Sequence, residues 1–340
     1  MTTITTAPAA GASTLRPTRA GAGTADSTTG REDAGDFPML LEEVQVASVE
    51  RVSPSLLRLV LASRALAGFG VDGPLLDQRV KLVLPGPAGL PPITRGPSWY
   101  QDWCALPDDV RGHVRTYTVR AVHGTGADTQ VVVDVVLHPG ECGPGSRWAA
   151  SAEVGDRVLL LGPRRGFPFG GIEFDPAGAS RVLLAGDETA VPAVAGILAG
   201  LPIDAAGTAY LEVPEDADVQ DLAPPSGVRV VWLPRNGRPH GERLCLAVLT
   251  LFGLDGSCRE PLPDLPADGS DSDLWETPAY SSSGEELGSE PLGRPDLYAW
   301  VAGEAGVVAR IRRHLVKDAG LDRRQVAFMG YWRQGVAMRS

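Results

Sequence analysis

A small antiparallel β-barrel followed by an α/β domain on a parallel sheet is the architecture this sequence predicts. Three observations carry it. Through about residue 172 the apolar pattern is one of short strands with turn signals and little helix. From Arg181 onward a strand, a glycine turn and a helix succeed one another repeatedly, the alternation of a parallel sheet. The length, 340 residues, suits two domains at roughly 150 residues each.

Residues 1–36 are dominated by Thr, Ala, Gly and Ser, with too few large apolar side chains to offset the entropy of ordering, and are expected to form a disordered tail. Val44, Val46 and Val49 mark one strand and Leu56–Leu61 the next, joined by the Ser53-Pro54 turn. Arg79–Leu84 alternates Arg79, Lys81 and Val83 against Val80, Leu82 and Leu84. Residues 85–110, rich in Pro and Gly, are expected to be a long loop. Strands at 115–120, 131–137 and 156–163 complete the barrel domain, residues 37–172.

The second domain, residues 178–336, opens on Val182–Ala185 and Gly186-Asp187-Glu188-Thr189, then a helix from Val194 to Leu201. Strands follow at 208–213 and 228–233, and a helix at 243–251. Residues 254–296 are an acidic, Pro/Ser-rich insertion, with Leu274-Trp275 as a possible anchor. Leu297–Ala302 is a strand ending at Gly303-Glu304, followed by a helix with Val307, Val308, Ile311 and Leu315 inward and Arg310, Arg312, Arg313 and Lys317 mainly outward. A last strand, 326–330, leads into Tyr331-Trp332-Arg333. Three distinctive segments thus follow strands directly and converge on one crevice at strand C-termini.

A net charge of −11 argues against a nucleic-acid partner. No apolar run approaches the ~18–20 residues of a membrane helix, and no secretory signal is evident. Cys104, Cys142, Cys245 and Cys258 are scattered without a C-x-x-C pair, so no metal or iron–sulfur site is expected. A cytoplasmic monomer is the expected setting.

The stretch Arg115-Thr116-Tyr117-Thr118-Val119-Arg120 offers a guanidinium for phosphate, an aromatic platform and a hydroxyl, read as lying on one strand face, the kit for a flavin nucleotide; an ordinary barrel strand is the alternative. In His138–Ala150, Ser146 is expected to cap a short helix whose free N–H groups suit a diphosphate. His138 and Cys142 are too few for a metal site.

Five ordered motifs, Arg115-x-Tyr117-Thr118-x-Arg120, Gly143-Pro144-x-Ser146-x-Trp148-Ala149, Gly186-Asp187-Glu188-Thr189-Ala190-x-Pro192-Ala193, Trp300-Val301-Ala302-Gly303-Glu304 and Gly330-Tyr331-Trp332-Arg333-x-Gly335, resemble those of siderophore-interacting proteins, FAD-dependent ferric-siderophore reductases of the ferredoxin-reductase superfamily. The resemblance covers roughly residues 40–335. Gly145 and Val191 depart from the family's usual alanine and leucine, and the insertion is longer than the pattern implies.

The resemblance implies a ferredoxin-reductase-like fold, with an FAD-binding barrel and an NAD(P)-binding α/β domain. Arg115 and Arg120 would hold FAD phosphates, Tyr117 would stack on the isoalloxazine, and Thr118 would hydrogen-bond near N5. Gly143, Ser146 and Trp148 would cradle the diphosphate, with His138 on the cofactor side. Asp187, Glu188 and Thr189 would border the NADPH or NADH, Gly303 and Glu304 would lie at the hydride-transfer crevice, and Trp332 would help close it. Thr118, Glu304 and Trp332 are thereby placed at the catalytic centre. Arg235, Arg238 and Arg243 are candidates for the adenosine side. Arg79, Lys81 and Arg333 are candidates for gripping an anionic ferric siderophore. The alternatives are a flavin reductase or diaphorase serving another acceptor, and a siderophore-binding module without catalysis.

Overall fold

The computed structural model describes residues 37–138, 143–254, 275–278, 280–281 and 296–335. The expectations for residues 1–36, for Cys142 and for most of the insertion lie outside the described residues. Six strands, β1 (Met39–Ser53), β2 (Leu56–Ala62), β3 (Arg79–Leu84), β4 (His113–His123), β5 (Gln130–Val136) and β6 (Arg157–Pro163), close a barrel in the order β1-β2-β5-β4-β3-β6. Every pairing is antiparallel. Period-two alternation sends Leu59, Leu61, Val80, Leu82, Val119, Val133 and Leu160 inward, all essentially without exposure.

The Pro/Gly-rich stretch 85–110 is not a continuous loop. It holds two short helices, α1 (Trp99–Ala105) and α2 (Asp108–Arg111). Trp99 and Trp103, one turn apart, bury against Val83, Val114 and Leu161 on the outside of the barrel. Trp103 Nε1 donates to the Arg111 carbonyl at 2.7 Å. The aromatic pair outweighs the breaker residues around it. A third short helix, α3 (Pro144–Ala150), lies against the barrel core through Ala149 and Trp148.

The second sheet is built from β7 (Arg181–Gly186), β8 (Ala206–Val213), β9 (Gly227–Pro234), β10 (Trp275–Thr277), β11 (Tyr280–Ser281), β12 (Leu297–Glu304) and β13 (Val326–Trp332), with helices α4 (Val191–Gly200), α5 (Glu242–Thr250) and α6 (Ala305–Lys317). Its order is β11-β10-β13-β12-β7-β8-β9. The strands β9, β8, β7, β12 and β13 run parallel. From β7 the chain moves to β8 on one side and later returns to β12 on the other, so the order reverses between β7 and β12. Ligand crevices form at such a reversal, beyond the strand C-termini. The final strand runs through Tyr331 and Trp332 rather than stopping at Gly330.

The insertion is anchored through Trp275. Strand β10 pairs antiparallel with β13, setting Trp275 opposite Met329, and the Trp275 ring stacks on Tyr331 with centroids 6.2 Å apart. The neighbouring Glu276, 5% exposed, accepts from Arg312 Nε at 2.5 Å and Arg323 Nη2 at 3.1 Å. Arg312 therefore does not face open solvent as its helical position suggested. Val307, Val308, Ile311 and Leu315 are buried as the periodicity requires.

Buried carboxylates join barrel to sheet. Asp77, ahead of β3, accepts from the backbone N–H groups of Glu173 and Phe174 at 3.1 Å and from Trp300 Nε1 of β12 at 3.0 Å. Asp218, beyond β8, accepts from Ser53 Oγ at 2.6 Å and from Ser55 N and Oγ at 2.8 and 3.0 Å, all at the β1–β2 turn. On α4, a Cβ at Gly196 would lie 2.1 Å from the Leu76 carbonyl oxygen, so glycine is what lets the helix reach the barrel loop. Replacing Asp77 with Ala orphans three donors, two of them buried, and urea unfolding of the flavin-free protein should show a loss of about 2–4 kcal/mol; wild-type stability in that variant would refute this role.

Candidate active site

Strand β4 divides the flavin-type stretch between its two faces. Arg115 and Tyr117 stand opposite Leu82 and Val80, on the inward face, whereas Thr116 and Thr118 stand opposite Lys81 and Arg79 on the outer one. The single shared face read from the sequence is therefore corrected. Tyr117 packs against the barrel core beneath α3; a Cβ on Gly145 would lie 2.6 Å from its hydroxyl and 3.4 Å from Arg115 Cγ. Burial pushes the Tyr117 phenol up to about 12 against the opposing charge of Arg115.

The N-cap of helix α3 is Gly143, not Ser146, so the cap residue has no side chain to offer. Ser146 Oγ instead accepts the His138 N–H at 3.1 Å, tying the strand exit to the helix. The first turn of α3 lies beside the Arg115 side chain, donors of the kind that suit an anionic group. Arg120 does not join it. It turns outward to Asp134, 3.7 Å away, which Arg58 already grips at 2.7 and 2.8 Å.

The strand-end crevice of the second sheet centres on Asp187, which follows β7 and is 1% exposed. Its Oδ1 accepts from Thr189 N at 2.9 Å and Thr189 Oγ1 at 2.5 Å. Its Oδ2 accepts from Glu304 N and Trp332 Nε1, each at 2.8 Å, and His240 Nε2 lies 3.3 Å away. One carboxylate therefore draws together the ends of β7, β12 and β13. Gly303 makes this possible: at φ +145° a Cβ there would sit 2.6 Å from Asp187 Oδ2. Trp332 lies between two imidazoles, His138 from the barrel and His240 from the sheet domain, each 5.2 Å from its ring.

Glu188, 2% exposed, is held by Arg235 through two hydrogen bonds of 2.7 and 2.9 Å. Arg235 also lies 3.5 Å from Glu212, whose carboxylate accepts the N–H groups of Gly241 and Leu244 at 2.7 Å and so fills the start of α5. These contacts correct the adenosine-side assignment of Arg235: its guanidinium is committed to internal carboxylates. Arg238 pairs with Glu242 at 3.1 Å on the surface. The Glu304 carboxylate caps α6, accepting from Val307 N at 2.9 Å, and also accepts from Gln334 N at 3.3 Å.

Of the three cations expected to meet substrate, Arg79 pairs with Glu173 and lies 4.2 Å over the Trp275 ring, so its charge is spent within the protein. Lys81 is exposed and donates to Thr116 Oγ1 at 3.1 Å. Arg333 is half-buried beside Trp332 in the chain. Thr118 is buried, neighbouring the Tyr331 phenol across the domain seam. Sequence reasoning missed His240 and Glu212; neither lies in a motif, and only strand register brings them to the crevice.

Among the described residues Asp187, Glu188 and His240 bring ligand-type atoms within 4.8 Å of one another, but donors already occupy both carboxylates. Burial alone would raise Asp187; the hydrogen bond and charge of His240, with Thr189 and Trp332, outweigh it and bring the carboxyl down to about 2. Burial lowers His240, and the hydrogen bond and charge of Asp187 with the charge of Glu188 reverse this, raising it.

The family comparisons agree with this geometry. Residues 45–167 match the siderophore-interacting FAD-binding domain and residues 179–335 the siderophore-interacting protein profile. A siderophore utilization protein from T. fusca superposes with a TM-score of 0.60 at 30% identity, covering 89% of this chain and 97% of that one. The chain belongs to the siderophore-interacting protein family. SipS from Aeromonas hydrophila matches with a TM-score of 0.58 at 29% identity, over 87% of this chain and 92% of its own. The ferric vibriobactin reductase ViuB of Vibrio cholerae is 28% identical over 299 residues, 88% of this chain and 90% of that protein. An uncharacterized Mycobacterium tuberculosis protein is 37% identical over 199 residues, an alignment that spans 58% of this chain and 66% of the relative. Among the described residues no helix is long and apolar enough to cross a membrane.

The Asp187 network sets a pH response of both signs. Asp187 is lowered from 3.8 to about 2, so its stabilisation is present above about pH 4 and is lost as pH falls toward 2. His240 is raised from 6.5, so its contribution is full below 6.5 and disappears as pH rises through its folded value. Urea unfolding of Asp187→Asn should flatten both limbs; an unchanged profile would refute the coupling.

Proposed function

We propose that this chain is a ferric-siderophore reductase that takes hydride from NADPH or NADH and delivers electrons to siderophore-bound Fe(III), releasing Fe(II). One observation carries the reading: Trp332 bridges the two halves, hydrogen-bonded to Asp187 at the sheet's reversal point and packed against His138 of the barrel. A nicotinamide in the strand-end crevice and a flavin on the barrel would meet at this indole. The family match and the resemblance to ViuB support the same direction. Bound FAD would supply the conversion of a two-electron donor's hydride into the single electrons that ferric iron takes.

The chain's own work is binding and exclusion of water. Arg115 and the first turn of α3 hold the diphosphate, with Gly143 admitting close approach and Ser146 fixing the turn. Tyr117 and Trp148 wall the site, and Thr118 presents a hydroxyl at the seam. Asp187, Thr189 and Gly303 shape the nicotinamide side, and Trp332 covers it. Glu188, bound to Arg235, is a support rather than a ligand. Lys81 and Arg333 face the anionic chelate; Arg79 supports Trp275 instead. Among the described residues Cys104 and Cys245 are free thiols, and the reading takes the chain as a cytoplasmic monomer.

Purified protein with FAD should show a bound-flavin spectrum, bleach under anaerobic NADPH or NADH, and recover on adding a ferric siderophore, with Fe(II) trapped by a ferrous chelator. Failure to bind flavin would overturn the reading. Bleaching without reoxidation by any ferric chelate would favour a diaphorase serving another acceptor. Arg115→Ala should weaken FAD binding at least about tenfold, measured by flavin fluorescence titration; unchanged affinity would remove Arg115 from the site.

A further inference from the structure

His240 has no task in the reading above, yet it sits against its central residues. It comes from the β9–α5 connection, with its side chain 15% exposed. Nε2 lies 3.3 Å from Asp187 Oδ2 and 3.8 Å from Glu188 Oε2. Its ring meets the Trp332 indole edge-on, at 81° between planes. Neither Nδ1 nor Nε2 makes a hydrogen bond of good geometry among the described residues, so the ring is held to Asp187 and Glu188 by charge and proximity. The imidazole therefore lies against both the carboxylate that holds the indole and the indole itself.

The charges around it make its proton consequential. Asp187 and Glu188 face it from the end of β7, Glu212 from β8 and Arg235 from the end of β9. From α6, Val307 packs on the adjoining Gly241, and His138 is a second imidazole neighbour of Trp332, 5.2 Å from its ring. With His240 neutral, Arg235 is the one cation among three carboxylates in this cluster. Protonation adds a second, and without it Asp187 and Glu188 repel one another.

We propose that His240 is a positioning residue for the hydride-transfer crevice: it fixes the seat of Trp332 through Asp187, and its proton holds Asp187 and Glu188 together. The proposal rests on the reductase reading for its kinetic consequence, but the hold on Trp332 is a property of the protein alone. His240 touches neither reacting centre; it acts through Trp332. Loss of the proton loosens the seat of the indole, and hydride transfer slows because it depends on close alignment.

Two measurements test this. In the flavin-free protein the Trp332 indole N–H resonance, assigned with Trp332→Phe, should shift as pH is raised from about 6 to 9, and should stay fixed in His240→Gln, which keeps a donor without the charge. In the flavin-loaded protein the limiting rate of anaerobic reduction by NADPH or NADH should fall with rising pH. His240→Gln should show the wild-type high-pH rate at every pH. His240→Ala should lie about tenfold below wild type near neutrality, with the nicotinamide dissociation constant little changed. An indole resonance indifferent to His240, or variants with the wild-type rate and pH profile, would overturn the proposal. If neither nucleotide bleaches wild-type flavin, the reductase reading fails, while the indole titration still decides whether His240 holds Trp332. If His240→Ala does not fold, the Gln variant decides alone.

Discussion

A carboxylate shut away from water must find donors for its lone pairs, and Asp187 meets that demand by recruiting groups from three strand ends. Its partners are the hydroxyl and N–H of Thr189, the N–H of Glu304 and the indole of Trp332. Unpaired, such a charge would cost several kcal/mol. The shape of the crevice is the solution to that problem. Gly303 is bare so that the carboxylate can approach, and β13 continues to Trp332 so that its indole can arrive.

The same logic fills the rest of the crevice floor. Glu212 satisfies the start of α5, Arg235 neutralises Glu188, and His240 adds a titratable cation beside Asp187. The sheet domain thus presents an acidic cluster with its own cations, while on the barrel the start of α3 meets Arg115. Charge is segregated: carboxylates gather at the strand ends of the sheet, hydrogen-bond donors at the start of α3.

Much of this was legible in the sequence. Alternation gave the barrel strands, and the strand–glycine–helix repeat gave the parallel sheet with Asp187, Gly303 and Trp332 converging at strand ends. Two kinds of information were hidden. The first is side-chain commitment: Arg79, Arg120 and Arg235 look like ligand cations until Glu173, Asp134 and Glu188 are seen to claim them. The second is long-range register, which alone brings His240 and Glu212 to the site. Trp99 and Trp103 were obscured by the Pro and Gly around them, although their spacing was a helical signal.

The ties between barrel and sheet limit how this protein can move. Asp77 bound to Trp300, Asp218 bound to Ser53 and Ser55, and α4 pressed on Leu76 through Gly196 fasten separate points along the seam. A hinge that rocked one domain away from the other would strip buried carboxylates of their donors together, at several kcal/mol. Barrel and sheet are therefore built as one block, and the seam between them is a row of buried locks, not a hinge.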